Sequence, residues 1–225
     1  MYSPLSAIIL ARGGSKEIPR KNIIDFCGLP LVAHTIRQAL SSKYVDKAYV
    51  SSDSEEILHI AGRFGALPIE RPSELSTDDA ASEVAIKHFV ENIEANDTIL
   101  FLQPTSPLRE VKDIDRAIEK YYEDGCDSLF SATNGKDLCV WNISGETHNS
   151  LSYDYTKRQR RQDIQNVVVE NGSFYILDRD GFLQNNNRLF GKIGHYMMDD
   201  YKIHEIDNHH DLELCEFLFN TRIGD

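Results

Sequence analysis

The chain has 225 residues, 41% of them hydrophobic, and carries a formal net charge of −12. That length buries one core of ordinary size, and the acidic balance argues against nucleic acid and anionic membrane surfaces as partners. Apolar runs are too short to span a bilayer, no signal-peptide pattern opens the chain, and Cys27, Cys126, Cys139 and Cys215 lack metal-ligand or redox spacing, so reduced thiols and a cytoplasmic location are expected.

The first strand is predicted over residues 7–10, where Ala7, Ile8, Ile9 and Leu10 form an apolar run. It leads into Arg12, Gly13, Gly14, Ser15 and Lys16, with Arg20, Lys21 and Asn22 close behind. Two glycines let backbone N–H groups approach oxygen atoms closely, and the cations supply charge, so the turn is suited to a polyanion such as a nucleoside triphosphate. It is neither a P-loop, since no Gly-Lys-Ser/Thr ending is present, nor a Gly-x-Gly-x-x-Gly dinucleotide turn. Residues 12–28 read as one long loop, a length that compact domains usually reserve for function.

Helical spacing then recurs: Val32, Ile36, Ala39 and Leu40; Ile57, Ala61 and Phe64, with Ser52 and Glu55 at capping-box spacing; and Ile114, Ala117, Ile118 and Tyr121. Between and after these helices, strands are predicted over 48–51, 98–102, 128–132 and 173–177. The alternation predicts one domain over 1–225, α/β in class, a mainly parallel sheet between helices on both faces. Ligands in such folds bind at the carboxyl ends of the strands, which gathers the loops after Leu10, Ser51 and Leu102. Residues 134–166 break the rhythm with polar, Asn- and Gly-rich sequence and the basic run of residues 157–161, and read as an inserted arm with a strand or two around 139–143. Late in the chain, Glu205 and Asp207 stand two apart, so on an extended segment both carboxylates face one way.

The turn of residues 10–16 with Lys21 and Asn22 resembles the signature of the acylneuraminate cytidylyltransferases. Arg71, Pro72, Glu74, Leu75 and Asp78, the run from Leu102 through Gln103, Pro104, Thr105, Ser106, Pro107 and Leu108 to Arg109, then Arg161 and Gln162, Asn171 and Gly172, and the acidic segment at Asp207 follow in the family's order over about residues 6–219. The resemblance implies a three-layer nucleotidyltransferase fold of the glycosyltransferase-A-like type and transfer of CMP from CTP to the anomeric hydroxyl of a nine-carbon 2-keto sugar acid, an N-acylneuraminate or a relative such as legionaminate. Runner-up readings are a related transferase for Kdo or pseudaminate, and a nucleotide-binding module without catalysis.

By the same resemblance, Arg12, Gly13, Gly14, Ser15, Lys16 and Lys21 belong with the triphosphate, and Asn22, Arg71 and Ser82 with the base and ribose. Gln103, Thr105, Ser106, Arg109, Arg161 and Gln162 belong with the sugar acid, and Glu205 and Asp207 with Mg²⁺, or Mn²⁺ in its place. The arm implies a homodimer. Two departures stand out: Glu205 fills a position where the family usually has Asp, and Trp141 and Val169 replace basic residues of the arm.

Overall fold

The structure, a computed structural model, describes residues 2–77, 79–145, 147–160, 163–164 and 166–223. In chain order the strands are β1 (Leu5–Leu10), β2 (Asp25–Phe26), β3 (Leu29–Pro30), β4 (Val45–Ser52), β5 (Leu67–Glu70), β6 (Thr98–Leu102), β7 (Ser128–Asn134), β8 (Trp141–Ser144), β9 (Thr147–Ser150), β10 (Val168–Asp178) and β11 (Ile193–Met197). The helices are α1 (Leu31–Ser41), α2 (Glu55–Arg63), α3 (Ser82–Asn92), α4 (Val111–Glu123), α5 (Arg179–Asn185) and α6 (His209–Arg222).

Seven strands form one sheet in the order β11-β7-β10-β6-β1-β4-β5. The pairs β1–β4, β1–β6, β4–β5 and β7–β11 are parallel, whereas β10 runs antiparallel to both β6 and β7. The sheet is therefore mainly parallel, as the alternation of elements predicts. β1 is apolar almost throughout because it is covered on both faces. Alternate side chains serve different layers: Ala7 and Ile9 pack with Val32 and Ile36 of α1, Ile57 of α2 and Ile114 and Ile118 of α4. Ile8 packs with Ile86 and Phe89 of α3, Phe101, Tyr175 and Phe182 of α5. At ~25 cal/mol per Å² of apolar surface, these two layers supply the main driving force for folding.

A third cluster decides where the site forms. Ile18 and Phe26 from the long first loop, Leu31, Leu108, Ile206 and Cys215 of α6 pack together, so the C-terminal segment is pinned against the loop that follows β1. The N–H of Ile206 also donates to the Thr105 carbonyl at 2.8 Å. Ile206 is buried while its neighbours Glu205 and Asp207 point away from the cluster.

One local expectation shifts. The cap of α2 is Ser54, whose hydroxyl accepts from the Ile57 N–H, while the Ser52 hydroxyl accepts from the Ser54 N–H. In the arm, β8 and β9 pair as a separate hairpin. Trp141 there packs against Tyr153 and Tyr155, with ring centroids 5.9 and 5.3 Å apart. Among the described residues no helix is long and apolar enough to cross a membrane.

Candidate active site

A cavity of about 320 Å³ opens where β1 and β6 end. Arg12, Gly14, Ser15, Lys21 and Asn22 come to it from the first loop, and Arg71 from the segment after β5. Ser82 comes from the start of α3, Gln103 and Thr105 from the turn after β6, and Glu205 and Asp207 from the C-terminal segment. Residues predicted from stretches nearly 200 positions apart thus share one wall.

The first loop is fixed by one of its own polar groups and by one from the segment after β4. The Asn22 side-chain N–H₂ donates to the Arg12 carbonyl at 2.8 Å, tying the loop's end to its start and leaving the Asn22 carbonyl oxygen for a ligand. The Gly13 N–H donates to Oδ1 of Asp53 at 2.8 Å. Arg20, with φ of 59°, precedes a single 3-10 turn that presents Lys21; its own side chain is exposed and pairs with Glu56. Lys16 is exposed next in the chain to Ser15 and lies outside the lining.

Arg71 is 5% exposed. Its Nε donates to the Ser76 hydroxyl at 2.8 Å, which orients the guanidinium. Burial lowers its pKa, Asp53 opposes that shift and Arg12 adds to it. Behind the cavity, Arg188 lies over the rings of Phe101 and Tyr175 and grips Glu83 with two bonds, 2.7 and 3.0 Å, next in sequence to Ser82.

The carboxylate end is equally well defined. Lys21 Nζ donates to Asp207 Oδ1 at 2.9 Å and to the Ile206 carbonyl at 3.0 Å. The Glu205 carboxyl is pushed up to about 7, first by burial and then by the charge of Asp207, against the pull of Thr105, Lys21 and Arg109. Gly172 makes room for it: a Cβ there would stand 1.9 Å from Glu205 Oε1, and φ is +66°. The Gln103 side-chain N–H₂ donates to the Gly172 carbonyl at 2.6 Å. Asp211 accepts from the N–H groups of Asp207 and Asn208 at 3.0 Å each, so it caps α6.

Mutual repulsion between two carboxylates on one wall is what a hard divalent cation relieves, so the donor set fits Mg²⁺ or Mn²⁺. Among the described residues no group of three or more His, Cys, Asp or Glu is arranged to hold a metal. The pair would therefore share its cation with ligand phosphates and water, as Mg²⁺ commonly requires.

Some predicted residues lie elsewhere. Arg109, expected beside the sugar acid, is 1% exposed and absent from the cavity wall. Its guanidinium donates to the carbonyl and hydroxyl of Ser173 at 2.7 and 3.0 Å, to Thr35 at 3.1 Å and to Gln38 at 2.9 Å, so it ties β10 to α1. Ser106 is likewise buried off the wall. Gly13 is engaged from behind by Asp53 and does not line the cavity. Arg161, Gln162 and Asp78 lie outside the described residues. Sequence reasoning missed Asp53 and Phe101, and of α3 it named Ser82 but not Ala85, which also lines the cavity. A carboxylate directly after a predicted strand at the carboxyl end of the sheet is the signal that marks Asp53.

Fold and site together define an α/β protein whose cationic turn and carboxylate pair share one cleft at the sheet's carboxyl edge. A model of the family described as Cytidylyltransferase matches residues 6–221. The chain belongs to the cytidylyltransferase family. It is 32% identical over 222 residues to the pseudaminic acid cytidylyltransferase of Campylobacter jejuni subsp. jejuni serotype O:23/36 (strain 81-176), covering 95% of both chains. It is 35% identical over 193 residues to N-acylneuraminate cytidylyltransferase A of Danio rerio, covering 83% of this chain and 45% of that one. Among solved structures, CMP:2-keto-3-deoxy-manno-octonic acid synthetase complexed with CTP superposes with a TM-score of 0.75 at 18% identity, covering 98% of this chain and 100% of the other, which is a likeness of fold.

Proposed function

We propose that the protein transfers CMP from CTP to the anomeric hydroxyl of a nonulosonic acid, with release of pyrophosphate. The carrying observation is that the glycine turn with Arg12 and Lys21, the buried Arg71 and the pair Glu205–Asp207 line one cavity in a chain of this family. Relatives matched end to end act, by name, on pseudaminic acid. That favours pseudaminate over N-acylneuraminate or legionaminate, since the N-acylneuraminate relatives match over less than half their own length.

In this reading the N–H groups of Gly14 and Ser15 and the charges of Arg12 and Lys21 receive the triphosphate, and Lys21 offsets charge that builds on the leaving pyrophosphate. Lys16, next in the chain to Ser15, is a further candidate for the same phosphates. The Asn22 carbonyl oxygen accepts from the cytosine amino group while Arg71 donates to its ring acceptors, a combination that disfavours uracil; Ser82 serves the ribose. Gln103 and Thr105 hold the sugar acid, with Arg161 and Gln162 as further candidates. Glu205 and Asp207 would hold Mg²⁺, or Mn²⁺, which when bound neutralises phosphate charge and lowers the pKa of bound hydroxyl or water. The chain's own residues supply alignment, since displacement at phosphorus depends more on positioning and charge than on a covalent nucleophile.

The arm carries exposed Leu138, Val140, Trp141, Ile143 and Leu151. A second copy of the chain covering this apolar hairpin makes a homodimer, and light scattering giving twice the 25.6 kDa chain mass would support it. A cytoplasmic enzyme fits its supply of CTP.

The test crosses CTP, UTP, ATP and GTP with pseudaminic, N-acetylneuraminic and legionaminic acids and Kdo, reading pyrophosphate release. Turnover with CTP and a nonulosonic acid is expected. Turnover with Kdo alone moves the assignment to the eight-carbon acid, and CTP binding without turnover on any acid makes the chain a binding module.

A further inference from the structure

Asp53 follows β4 and meets the site only from behind its wall. Its Oδ1 accepts the Gly13 N–H at 2.8 Å across 40 residues of sequence, although its side chain does not line the cavity. The approach is tight. A Cβ on Gly13 would stand 2.9 Å from the Ser54 Cβ and 3.7 Å from Asp53 Oδ1, so the turn rests directly on the segment after β4. Asp53 is also the charge that opposes the effect of burial on Arg71, while the charge of Arg12 acts the other way. Arg12 and Arg71 line the same cavity and repel each other, and the Asp53 carboxylate relieves the cost of that repulsion at Arg71.

We propose that Asp53 is the positioning residue of the nucleotide site. It seats the glycine turn through the Gly13 N–H and keeps Arg12 and Arg71 together for the triphosphate and base, without touching either. The inference rests on the CTP reading above. Charge alone predicts the opposite outcome: deleting a carboxylate near a bound polyanion removes repulsion and tightens binding. The sign of the change therefore separates positioning from proximity.

The experiment measures CTP affinity by calorimetry with Mg²⁺ present, and kcat and KM for both substrates, in wild type, Asp53→Ala and Asp53→Asn. Asp53→Ala is expected to weaken CTP binding at least tenfold while leaving the KM for the sugar acid and the Tm near wild type, because Asp53 is exposed. Asp53→Asn keeps an oxygen acceptor for Gly13 and is expected to recover part of the loss. Unchanged or tighter CTP binding in Asp53→Ala overturns the proposal. So does an equal loss for both substrates accompanied by a lower Tm. Wild-type protein giving no heat with CTP removes the CTP reading itself and this inference with it, an outcome distinct from wild-type binding with indifferent variants.

Discussion

Lys21 and Asp207 are 186 residues apart in the chain and 2.9 Å apart in space, Nζ to Oδ1. The residue assigned to phosphate and the residue assigned to the cation hold each other. Lys21 is well shielded and Asp207 mostly exposed, so the pair adds little to stability. Its value lies in keeping both side chains at the cavity. Lys21→Ala is expected to lower kcat/KM by about 10²-fold, the size typical of losing a charge that stabilises a transition state. Near-normal pyrophosphate release removes Lys21 from the site.

Asp207→Asn keeps the shape and removes the charge. With Glu205 as the remaining carboxylate, activity at ordinary Mg²⁺ is expected to be lost. Chelation should silence the wild type reversibly, with Mg²⁺ restoring turnover. An Asp207→Asn enzyme with unaltered Mg²⁺ dependence places the cation elsewhere.

Gly172 is required twice over, by its φ of +66° and by the Glu205 carboxylate where its Cβ would stand. Gly172→Ala is expected to destabilise by about 1–2 kcal/mol from the left-handed backbone alone. Activity should fall further as Glu205 is displaced. Adding Glu205→Asp retracts the carboxylate by one methylene, and the double variant should regain part of the activity lost by Gly172→Ala. Thermal unfolding and steady-state rates check both, and a fully active Gly172→Ala enzyme refutes the packing argument.

Lys202 is buried against Glu110 and Asp113 at 2.6 and 2.7 Å. Burial would lower its pKa, but the bonds to Asp113 and Glu110 outweigh burial and the net shift is upward. Lys202→Met leaves two carboxylates facing an apolar group and is expected to cost about 3–5 kcal/mol. Denaturant unfolding reads the loss directly, and a change under 1 kcal/mol would mean water satisfies the carboxylates.

His34 on α1 is buried, with Nε2 donating to the Phe26 carbonyl at 2.7 Å and its ring edge-on to Phe26 and Phe219. Burial lowers its pKa below the ordinary 6.5; the Phe26 bond opposes that. The unfolded chain therefore takes up the proton first. This group's contribution is complete above pH 6.5 and is lost as pH falls through the folded value. His34→Gln should flatten that part of the stability–pH curve, and a ring titrating above 6.5 by NMR contradicts the assignment.

Much of the fold follows from local pattern. β1, β4, β6 and β7 show as apolar runs, and α1, α2 and α4 as periodic stripes. β5 escapes because it is four residues long with a proline inside, and β11 because it is an edge strand whose exposure alternates without an apolar face. The antiparallel direction of β10 is set by its route back from the arm, which no local signal encodes. In the site, the glycine turn and the Glu205–Asp207 pair are legible because charge and spacing sit within a few residues. Arg109 misleads for the opposite reason: beside a proline turn it looks like a ligand, and its true partners Thr35, Gln38 and Ser173 meet it through tertiary packing alone.

The third cluster, which docks Ile206 and Cys215 on Ile18 and Phe26, makes the cleft a late product of synthesis. A nascent chain can form β1 and its glycine turn early, yet it holds no carboxylate pair until nearly the last segment has left the ribosome. A premature stop before Glu205 therefore yields a polypeptide that lacks both the paired acids and the Ile206 and Cys215 that close the apolar seat of the turn, so truncated copies are excluded from the reaction rather than running it poorly.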